Sequence, residues 1–311
     1  MASNLFSALR VSLVSALVVG AGLVSVYQPS PAGAASGKIS IVAAENEYGN
    51  VAMQIGGKYV SVTSIESNPN TDPHDYEVTP AVPAEISSAQ IVIQNGVGYD
   101  SWINTIEKSA PNPKRDVISA QALLGFPTDT PNPHLWYNDA TMPDVAAALV
   151  TDLSKIEPSH ASYFAKNETK FLNALKPWYA AIANFAAKYF GTPVASTEPV
   201  SDYLLEAMGI DNMTHWTLQA DIMNNVDPTP QDVSYQQSLF SKHLVKVFVY
   251  NQQVTDALTA SFIVDAKKAH IPVVGVYETM PTPGYSYQSW MLAETQALTR
   301  AVKDGTSTQK L

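Results

Sequence analysis

The sequence predicts an α/β fold in which two Rossmann-like (βα) lobes are joined by a single long α-helix, with a ligand cleft between the lobes. Three observations support this fold class. Short apolar runs alternate with helical patterns in both halves of the chain, which is typical of mainly parallel sheets. A long stretch with helical spacing and few turn signals separates the halves. The length of 311 residues allows two lobes of about 130 residues each.

Composition narrows the classes of function. Hydrophobic residues make up 46% of the chain and charged residues 15%, which favours a well-filled core over disorder. The net charge of -10 argues against binding to nucleic acid or to an anionic membrane surface. The chain has no cysteine, so disulfides, cysteine nucleophiles and thiolate metal ligands are excluded. A metal site would therefore use nitrogen and oxygen ligands.

Residues 1–34 have the pattern of a cleavable signal peptide. Arg10 gives a basic start, residues 11–26 form an apolar run, and residues 32–34 read AGA, a small-residue cleavage pattern. An uncleaved anchor is the alternative, because about 17 apolar residues can just cross a bilayer. Without a cysteine to acylate, we expect a soluble periplasmic protein rather than a lipoprotein.

The first lobe is predicted to span residues 35–155, and the linking helix residues 156–190. The strands expected in this lobe are residues 39–43, 59–65, 91–95 and 117–119, and the helices are residues 50–56 and 83–89. Two helices are expected between residues 142 and 190. The second should begin near Ser159 as N-cap and kink at Pro177.

The second lobe, residues 191–311, repeats the alternation. Its predicted strands are residues 194–197, 244–250 and 273–276, and its predicted helices are residues 202–208, 230–242 and 256–269. Because parallel α/β sheets gather ligand groups at the carboxyl ends of their strands, polar residues at those positions are the candidates for a site.

Two Pro-His segments lie in the first half of the chain. Residues 72–80 read DPHDYEVTP, where prolines on both sides stiffen the loop and neighbouring carboxylates can orient the imidazole of His74. Residues 132–139 read NPHLWYND, where aromatic side chains can shield His134 from water. Each histidine alone also fits a surface turn or an ordinary packed position. The duplication favours a shared role as metal ligands.

Two glutamates follow apolar strands in the second half. Residues 195–199 read ASTEP and residues 273–281 read VVGVYETMP, which places Glu198 and Glu278 at strand ends. Burial of an unpaired carboxylate is costly, so a cation is a natural partner for each. The alternatives are a helix-start role for Glu198 and a salt bridge for Glu278. No Lys or Arg lies near either strand end in the sequence.

These four segments, in this order and spacing, resemble the metal-specific solute-binding proteins of ABC importers, the class whose lobes are joined by one long helix. The resemblance covers essentially the whole mature chain. Its strongest motifs are DPHxYExxP and NPHxW, while residues 250–253 (YNQQ) and 278–281 (ETMP) are similar to a subgroup described as zinc-binding. The resemblance implies four metal ligands, two from each lobe: His74, His134, Glu198 and Glu278.

The identity of the metal stays open at this level. Many zinc-binding relatives have a third histidine where this chain has Glu198, and many have aspartate where it has Glu278. Two imidazoles and two carboxylates suit Zn(II), and also Mn(II) or Fe(II). Zinc is the first expectation and manganese the second. Protonation of the imidazoles should weaken capture below about pH 6.

The implied function is capture of one divalent transition-metal ion and its delivery to the membrane permease of an ABC transporter, by a monomer that is not an enzyme. A zinc-dependent hydrolase, a glycosidase using Glu198 and Glu278, and a metal-containing adhesin are the alternatives. Neither HExxH nor GxSxG occurs in the chain. His215 is a reserve ligand. Surface or capping roles are expected for the remaining histidines, His160, His243 and His270.

Overall fold

The computed structural model describes residues 37–311. The predicted signal peptide, residues 1–34, lies outside the described residues. Within the described part of the chain, no helix combines the length and apolar character needed to cross a membrane.

Two four-stranded parallel sheets form the framework, and they have the same strand order. The first sheet is ordered β2-β1-β3-β4 and the second β6-β5-β7-β8. The strands are β1 (Ile39–Glu45), β2 (Val60–Glu66), β3 (Ile91–Gln94), β4 (Asp116–Ser119), β5 (Thr192–Ser196), β6 (Ile210–Asn212), β7 (Val247–Asn251) and β8 (Val273–Val276). Every strand pair is parallel. The predicted α/β class with two lobes and a long helix is confirmed.

Helices connect the strands and cover the sheets. They are α1 (Asn46–Gly56), α2 (Val82–Ser88), α3 (Ser101–Ser109), α4 (Ala120–Leu124), α5 (Thr141–Ile156), α6 (Ala161–Tyr189), α7 (Asp202–Ala207), α8 (Trp216–Met223), α9 (Pro230–Ser241), α10 (Ala257–Lys268) and α11 (Tyr287–Asp304). The sequence pattern did not indicate α3, α4, α8, α11 or the short strand β6. It placed the other elements within a few residues of their observed bounds.

The long helix α6 has 29 residues and is about 44 Å long at 1.5 Å per residue. It begins two residues after the expected N-cap Ser159, because residues 158–160 form a short 3-10 turn that leads into it. Pro177 lies inside the helix. Its buried face carries large side chains at helical spacing, among them Phe164, Phe171, Leu175, Trp178 and Phe185. This stripe packs into the core that both lobes share.

The C-terminal helix α11 lies alongside α6. Ser286 and Ser289 form a capping box at its start, and Gly305 ends it with a left-handed conformation, φ 66°. The indole of Trp178 on α6 donates a hydrogen bond to Thr295 Oγ1 on α11 at 3.0 Å. One buried apolar cluster includes side chains from both sheets and from these two helices. The lobes are therefore connected by a helix pair and a continuous core.

Direct hydrogen bonds also join the two lobes at the carboxyl ends of their strands. Asn46, at the start of α1, donates from Nδ2 to the carbonyl of Met280 at 2.9 Å and accepts from its N–H at 3.0 Å. Asn132 Nδ2 donates to the carbonyl of Pro199 at 2.9 Å. These contacts bring the loops that carry the candidate ligands face to face.

Candidate metal centre

Each candidate ligand is held by a loop at the carboxyl end of a sheet. His74 lies in a short 3-10 turn after β2, where its backbone N–H donates to Asp72 Oδ1 at 2.8 Å. His134 directly precedes a second 3-10 turn. Glu198 and Glu278 each stand two residues beyond a strand, β5 and β8. Strand order therefore places all four residues at the facing edges of the sheets.

Three of the four predicted ligands converge. His74 Nε2 and His134 Nε2 each lie 3.3 Å from Glu278 Oε2, and the three donor atoms are within 4.8 Å of one another. The side chains of His134 and Glu278 are fully buried, whereas that of His74 is 23% exposed. The cluster is thus closed on the side of His134 and reaches solvent on the side of His74.

Glu198 lies next to this cluster and is linked to it by Asn251. The amide of Asn251 donates to Glu278 Oε1 at 2.5 Å and to Glu198 Oε2 at 3.3 Å. Glu198 is 3% exposed, and its Oε1 has no hydrogen-bond partner among the described residues. A buried carboxylate oxygen without a partner is costly. The assignment of Glu198 as the fourth metal ligand stays a prediction.

Several uncharged side chains orient the cluster, a role that was not predicted for them from the sequence. Asn132 Oδ1 lies 2.8 Å from His134 Nδ1, and the Tyr99 hydroxyl donates to Glu278 Oε2 at 2.9 Å. Gln253 Oε1 accepts the backbone N–H of Glu278 at 2.7 Å. Asn132 was visible as the first residue of the NPH motif. Tyr99 and Gln253 follow β3 and β7, so their position after parallel strands was the available signal.

The electrostatics divide the cluster into charged and neutral groups. Burial lowers the pKa of His74, but the Glu278 carboxylate outweighs it and raises that pKa from 6.5 to about 9. Burial lowers the pKa of His134. The pKa of Glu278 is far below its usual range because both histidines outweigh its burial, whereas burial and the charge of Glu278 raise the pKa of Glu198. Without metal, His74 and Glu278 thus form an ion pair beside a neutral His134.

This arrangement suits a divalent transition metal. With the Nδ1 proton of His134 donated to Asn132, the Nε2 lone pair faces a carboxylate oxygen. A metal ion between these two acceptors would remove their repulsion. Imidazole nitrogen with carboxylate oxygen is a donor set for Zn(II), Mn(II) or Fe(II), and it differs from the all-oxygen sets of Ca(II) and Mg(II).

The other histidines lie elsewhere. The reserve ligand His215 has its Nδ1 2.9 Å from Asp232 Oδ1, and its ring stacks on Tyr235 at 3.8 Å. It does not belong to the group of converging donors found among residues 37–311. His160 stacks on Tyr59. His243 and His270 follow helices α9 and α10 with positive φ angles of 52° and 55°.

Sequence comparisons find relatives that are named as metal-binding proteins. The chain is 25% identical to the manganese-binding lipoprotein MntA of Bacillus subtilis over 45% of this chain and 47% of that protein. It is 24% identical to a putative metal-binding protein of Treponema pallidum over 67% of this chain and 70% of that one. The alignment with the first of these relatives thus spans about half of its length.

A solved structure with the same fold is the solute-binding protein FpvC of Pseudomonas aeruginosa in complex with Mn²⁺. It superposes with a TM-score of 0.71 at 18% identity, covering 86% of this chain and all of that one.

The family comparison covers most of the chain. Residues 41–301 match the family model described as "ZnuA: Zinc-uptake complex component A periplasmic". Members of this family are substrate-binding components of metal transport and not enzymes. The chain therefore belongs to the ZnuA family of metal-binding solute-binding proteins.

Proposed function

We propose that this protein captures one divalent transition-metal ion through His74, His134, Glu198 and Glu278 and delivers it to the membrane permease of an ABC transporter. The observation that carries the proposal is the convergence of two imidazole nitrogens and one carboxylate oxygen within 4.8 Å. Both lobes supply donors to this cluster, so the ion would be held between them.

Charge balance supports a doubly positive cargo. The two glutamates carry two negative charges when ionised, which a divalent ion neutralises, and the ion displaces the proton that His74 holds. The favourable Coulomb energy of two carboxylates with a metal offsets the cost of burying Glu198 beside Glu278. Without a cation, burial and mutual repulsion keep a proton on Glu198.

Zinc is our first choice of cargo and manganese the second. Two imidazoles favour zinc among the metals that accept this donor set, while two carboxylates also suit manganese and iron. Relatives are named for both metals: MntA for manganese and the Bacillus subtilis protein ZnuA for zinc. A direct competition is therefore the informative measurement.

We further propose that the protein works as a soluble monomer in the periplasm after removal of its signal peptide. The Bacillus subtilis relative MntA is named a lipoprotein, and a lipoprotein of that kind needs a cysteine to carry the lipid. This chain contains none. Fractionation of the expressing cells, together with the mass of the mature protein, tests both points.

The test of the proposed function starts from metal-stripped protein that is offered Zn(II), Mn(II) and Fe(II) in competition. We expect one tightly held ion per chain with a clear preference for one metal. The variants His134→Ala and Glu278→Ala should each weaken binding by about 100-fold or more because each removes a coordinating atom. His243→Ala, which changes a histidine outside the cluster, is the matched control and should bind as the wild type does.

The variant Glu198→Ala tests whether Glu198 is the fourth metal ligand. A loss of the same size as in Glu278→Ala would make Glu198 a ligand, and unchanged affinity would remove it from the site. If the stripped wild-type protein takes up none of the three metals, the proposed function is wrong. Loss of the gene should also impair growth under starvation for the preferred metal, which separates an importer component from an adhesin.

A zinc-dependent hydrolase fits the site less well. Catalytic zinc keeps three protein ligands and one position open for water, whereas four protein ligands close the coordination sphere. We therefore expect no hydrolysis of model esters or peptides by the zinc-loaded protein.

A further inference from the structure

Asn251 connects the two proposed carboxylate ligands of the metal centre. It is the last residue of β7, is 1% exposed, and pairs in register with Val276, two residues before Glu278. Its amide Nδ2 has two protons, and it donates to Glu278 Oε1 at 2.5 Å and to Glu198 Oε2 at 3.3 Å. One oxygen of each carboxylate is therefore held by the same amide.

Two backbone hydrogen bonds fix the direction of the Asn251 amide. The backbone N–H of Gln253 donates to Asn251 Oδ1 at 3.0 Å, and only the oxygen end of an amide can accept this bond. The nitrogen end must then face the two glutamates. The backbone N–H of Asn251 donates to Thr197 Oγ1 at 3.1 Å, which ties Asn251 to the segment that carries Glu198. The amide is therefore oriented by bonds in which no metal ion takes part.

These bonds leave the second oxygen of each carboxylate for an ion. Glu278 Oε2 lies 3.3 Å from Nε2 of both His74 and His134. The hydrogen bond from Tyr99 to this oxygen uses one of its two lone pairs and leaves the other. Glu198 Oε1 is buried and has no hydrogen-bond partner among the described residues. Together with the two imidazole nitrogens, these two oxygens make four donor atoms.

The number of donor atoms decides which ion such a site prefers. Zn(II) is usually bound by four protein ligands in tetrahedral geometry, with bonds to nitrogen and oxygen of about 2.0–2.2 Å. Mn(II) suits octahedral sites that are rich in carboxylate and water oxygens. If both carboxylates bound through both of their oxygens, the donors would rise from four to six. An amide that occupies one oxygen of each carboxylate therefore favours zinc over manganese.

From these observations we propose that Asn251 is a specificity-determining residue, which keeps Glu198 and Glu278 as single-oxygen ligands and so favours four-coordinate zinc. This inference rests on the proposed function, because it requires that the ion binds at these two glutamates. Asn251 acts through the two ligands that it holds and does not itself contact the ion. It is therefore a positioning residue, and its loss should change the coordination number of the ion.

The test compares the affinities of the wild type and two variants for Zn(II) and Mn(II). Asn251→Ala removes the amide, and Asn251→Leu replaces it with an apolar side chain that branches at the same carbon. In both variants the second oxygen of each glutamate is released to bind the ion. The ratio of zinc affinity to manganese affinity, measured on metal-stripped protein by chelator competition, should therefore fall by about tenfold or more.

Asn167→Ala is the matched control. Asn167 is a buried asparagine on α6, 8% exposed, whose amide donates to the carbonyl of Ile55 at 2.9 Å. The control variant loses a buried amide hydrogen bond, as Asn251→Ala does, but at a position outside the metal centre. It therefore reports any effect of a general loss of stability, and its ratio of zinc to manganese affinity should equal that of the wild type.

Two spectroscopic measurements report the coordination number directly. The visible absorption of bound Co(II) is strong in four-coordinate sites and weak in six-coordinate sites, so it should be strong in the wild type and weaker in both variants. X-ray absorption of the wild-type zinc complex should show four nitrogen and oxygen neighbours at about 2.0–2.2 Å. The second measurement needs no substitution, so it decides the question even if neither variant folds.

Three results would overturn the role of Asn251 and leave the proposed function in place. They are a wild-type affinity ratio in Asn251→Ala, an equal loss of zinc and manganese affinity in that variant, and five or six neighbours around zinc in the wild type. A wild-type protein that binds neither zinc nor manganese would instead end the proposed function, and the role of Asn251 with it.

Discussion

The hydrogen bond between His134 and Asn132 fixes which ring nitrogen of His134 faces the metal centre. Asn132 Oδ1 accepts from the Nδ1 side at 2.8 Å and also from the backbone N–H at 3.1 Å. With Nδ1 protonated, Nε2 is left with a free lone pair toward Glu278. Partners of this kind set the tautomer and the orientation of metal-ligating histidines.

We therefore expect Asn132→Ala to weaken metal binding by about 10- to 100-fold, the usual effect of removing a hydrogen-bond partner of a ligating histidine. Asn132→Asp keeps the acceptor for Nδ1 and should retain more affinity than the alanine variant. Asn184→Ala, an exposed asparagine on α6, serves as the control. Equal affinities of the wild type and Asn132→Ala in a chelator competition would contradict this role.

The ion pair of His74 and Glu278 leads to a second prediction, which concerns how metal affinity depends on pH. Because the pKa of His74 is raised to about 9, a metal ion must displace a proton from His74 at any lower pH. Release of the His74 proton alone should therefore lower the apparent affinity by about tenfold for each pH unit below 9. The onset is well above the pH of about 6 expected from an ordinary imidazole.

Chelator competition between pH 6 and pH 9, corrected for protonation of the chelator, measures this slope. The proton that Glu198 holds in the metal-free protein makes the slope steeper if Glu198 coordinates the ion. Affinity that does not change above pH 7 would show that His74 does not hold a proton in the metal-free protein.

The residue types of the site were predictable, and their partners were not. All four candidate ligands could be named from the Pro-His motifs and from the glutamates that follow apolar strands, because these patterns are local in the sequence. Tyr99 and Asn251 contact Glu278 from residues 179 and 27 positions away. The Tyr99 contact depends on how the two sheets face each other, and the Asn251 contact depends on β7 and β8 being neighbours in the second sheet. No local pattern in the sequence encodes either arrangement.

Among the secondary-structure elements, α6 connects the two lobes, because its buried apolar side chains pack into the core that both lobes share. Leu175 is fully buried in the shared core, whereas Leu172, one turn earlier, is 37% exposed. Both are leucines on the same helix, so they form a matched pair. The difference between them reports packing alone, because helix propensity changes equally in both substitutions.

Leu175→Ala should lower the free energy of unfolding by about 2 to 5 kcal/mol, the range for removing a buried leucine side chain. Leu172→Ala should change it by about 0.5 kcal/mol or less. Urea denaturation of the metal-free proteins measures both values. Metal affinity of the folded variants should match the wild type, since neither side chain touches the site. Equal destabilisation by the two changes would show that α6 is packed on a different face.

Helix α11 shows why element prediction failed where polar residues are buried. Its buried positions include Gln288, Glu294 and Thr295, which blur the apolar stripe that identifies an amphipathic helix. Glu294 accepts from the indole of Trp290 at 2.7 Å and lies 2.6 Å from the hydroxyl of Tyr137. Long, strongly patterned elements such as α6 were recognisable, and elements with functional or networked polar cores were not.

That network also connects the helix pair to the ligand loops. The Tyr137 hydroxyl lies 2.7 Å from the carbonyl of Tyr277, the residue before Glu278. One hydroxyl proton cannot serve both Tyr277 and Glu294, so Glu294 must donate its own proton to Tyr137. Burial agrees with this, because it raises the pKa of Glu294 to about 8. Glu294 is therefore a neutral carboxylic acid at neutral pH.

For the whole molecule, the shared core and the lobe-to-lobe hydrogen bonds favour small rearrangements over wide opening. Of the three converging donors, only His74 has an exposed side chain, and its loop borders the cavity that contains Asp72 and Asp75. The side of the site that reaches solvent is therefore the side of the His74 loop.

Buried carboxyl groups also set how the stability of the whole protein depends on pH. Burial raises the pKa of Glu66 and Glu294 to about 8 and that of Asp100 to about 6. In the unfolded chain these groups titrate near 4, so between about pH 4 and pH 8 the folded state binds more protons. Their contribution to stability is fully present below the unfolded pKa and is lost as the pH rises through the folded pKa.

The metal-free protein should therefore melt at a higher temperature near pH 5 than near pH 8, with each buried group contributing up to about 1.4 kcal/mol per pH unit. Glu294→Gln carries a permanent neutral amide that still accepts from Trp290, so it should flatten this dependence, whereas the partly exposed control Glu157→Gln should not. Thermal melts of the three proteins across this range measure the slopes. A wild-type melting temperature that rises from pH 5 to pH 8 would mean that these carboxyl groups are ionised and compensated in the folded protein, and Glu294 could not then be the proton donor to Tyr137.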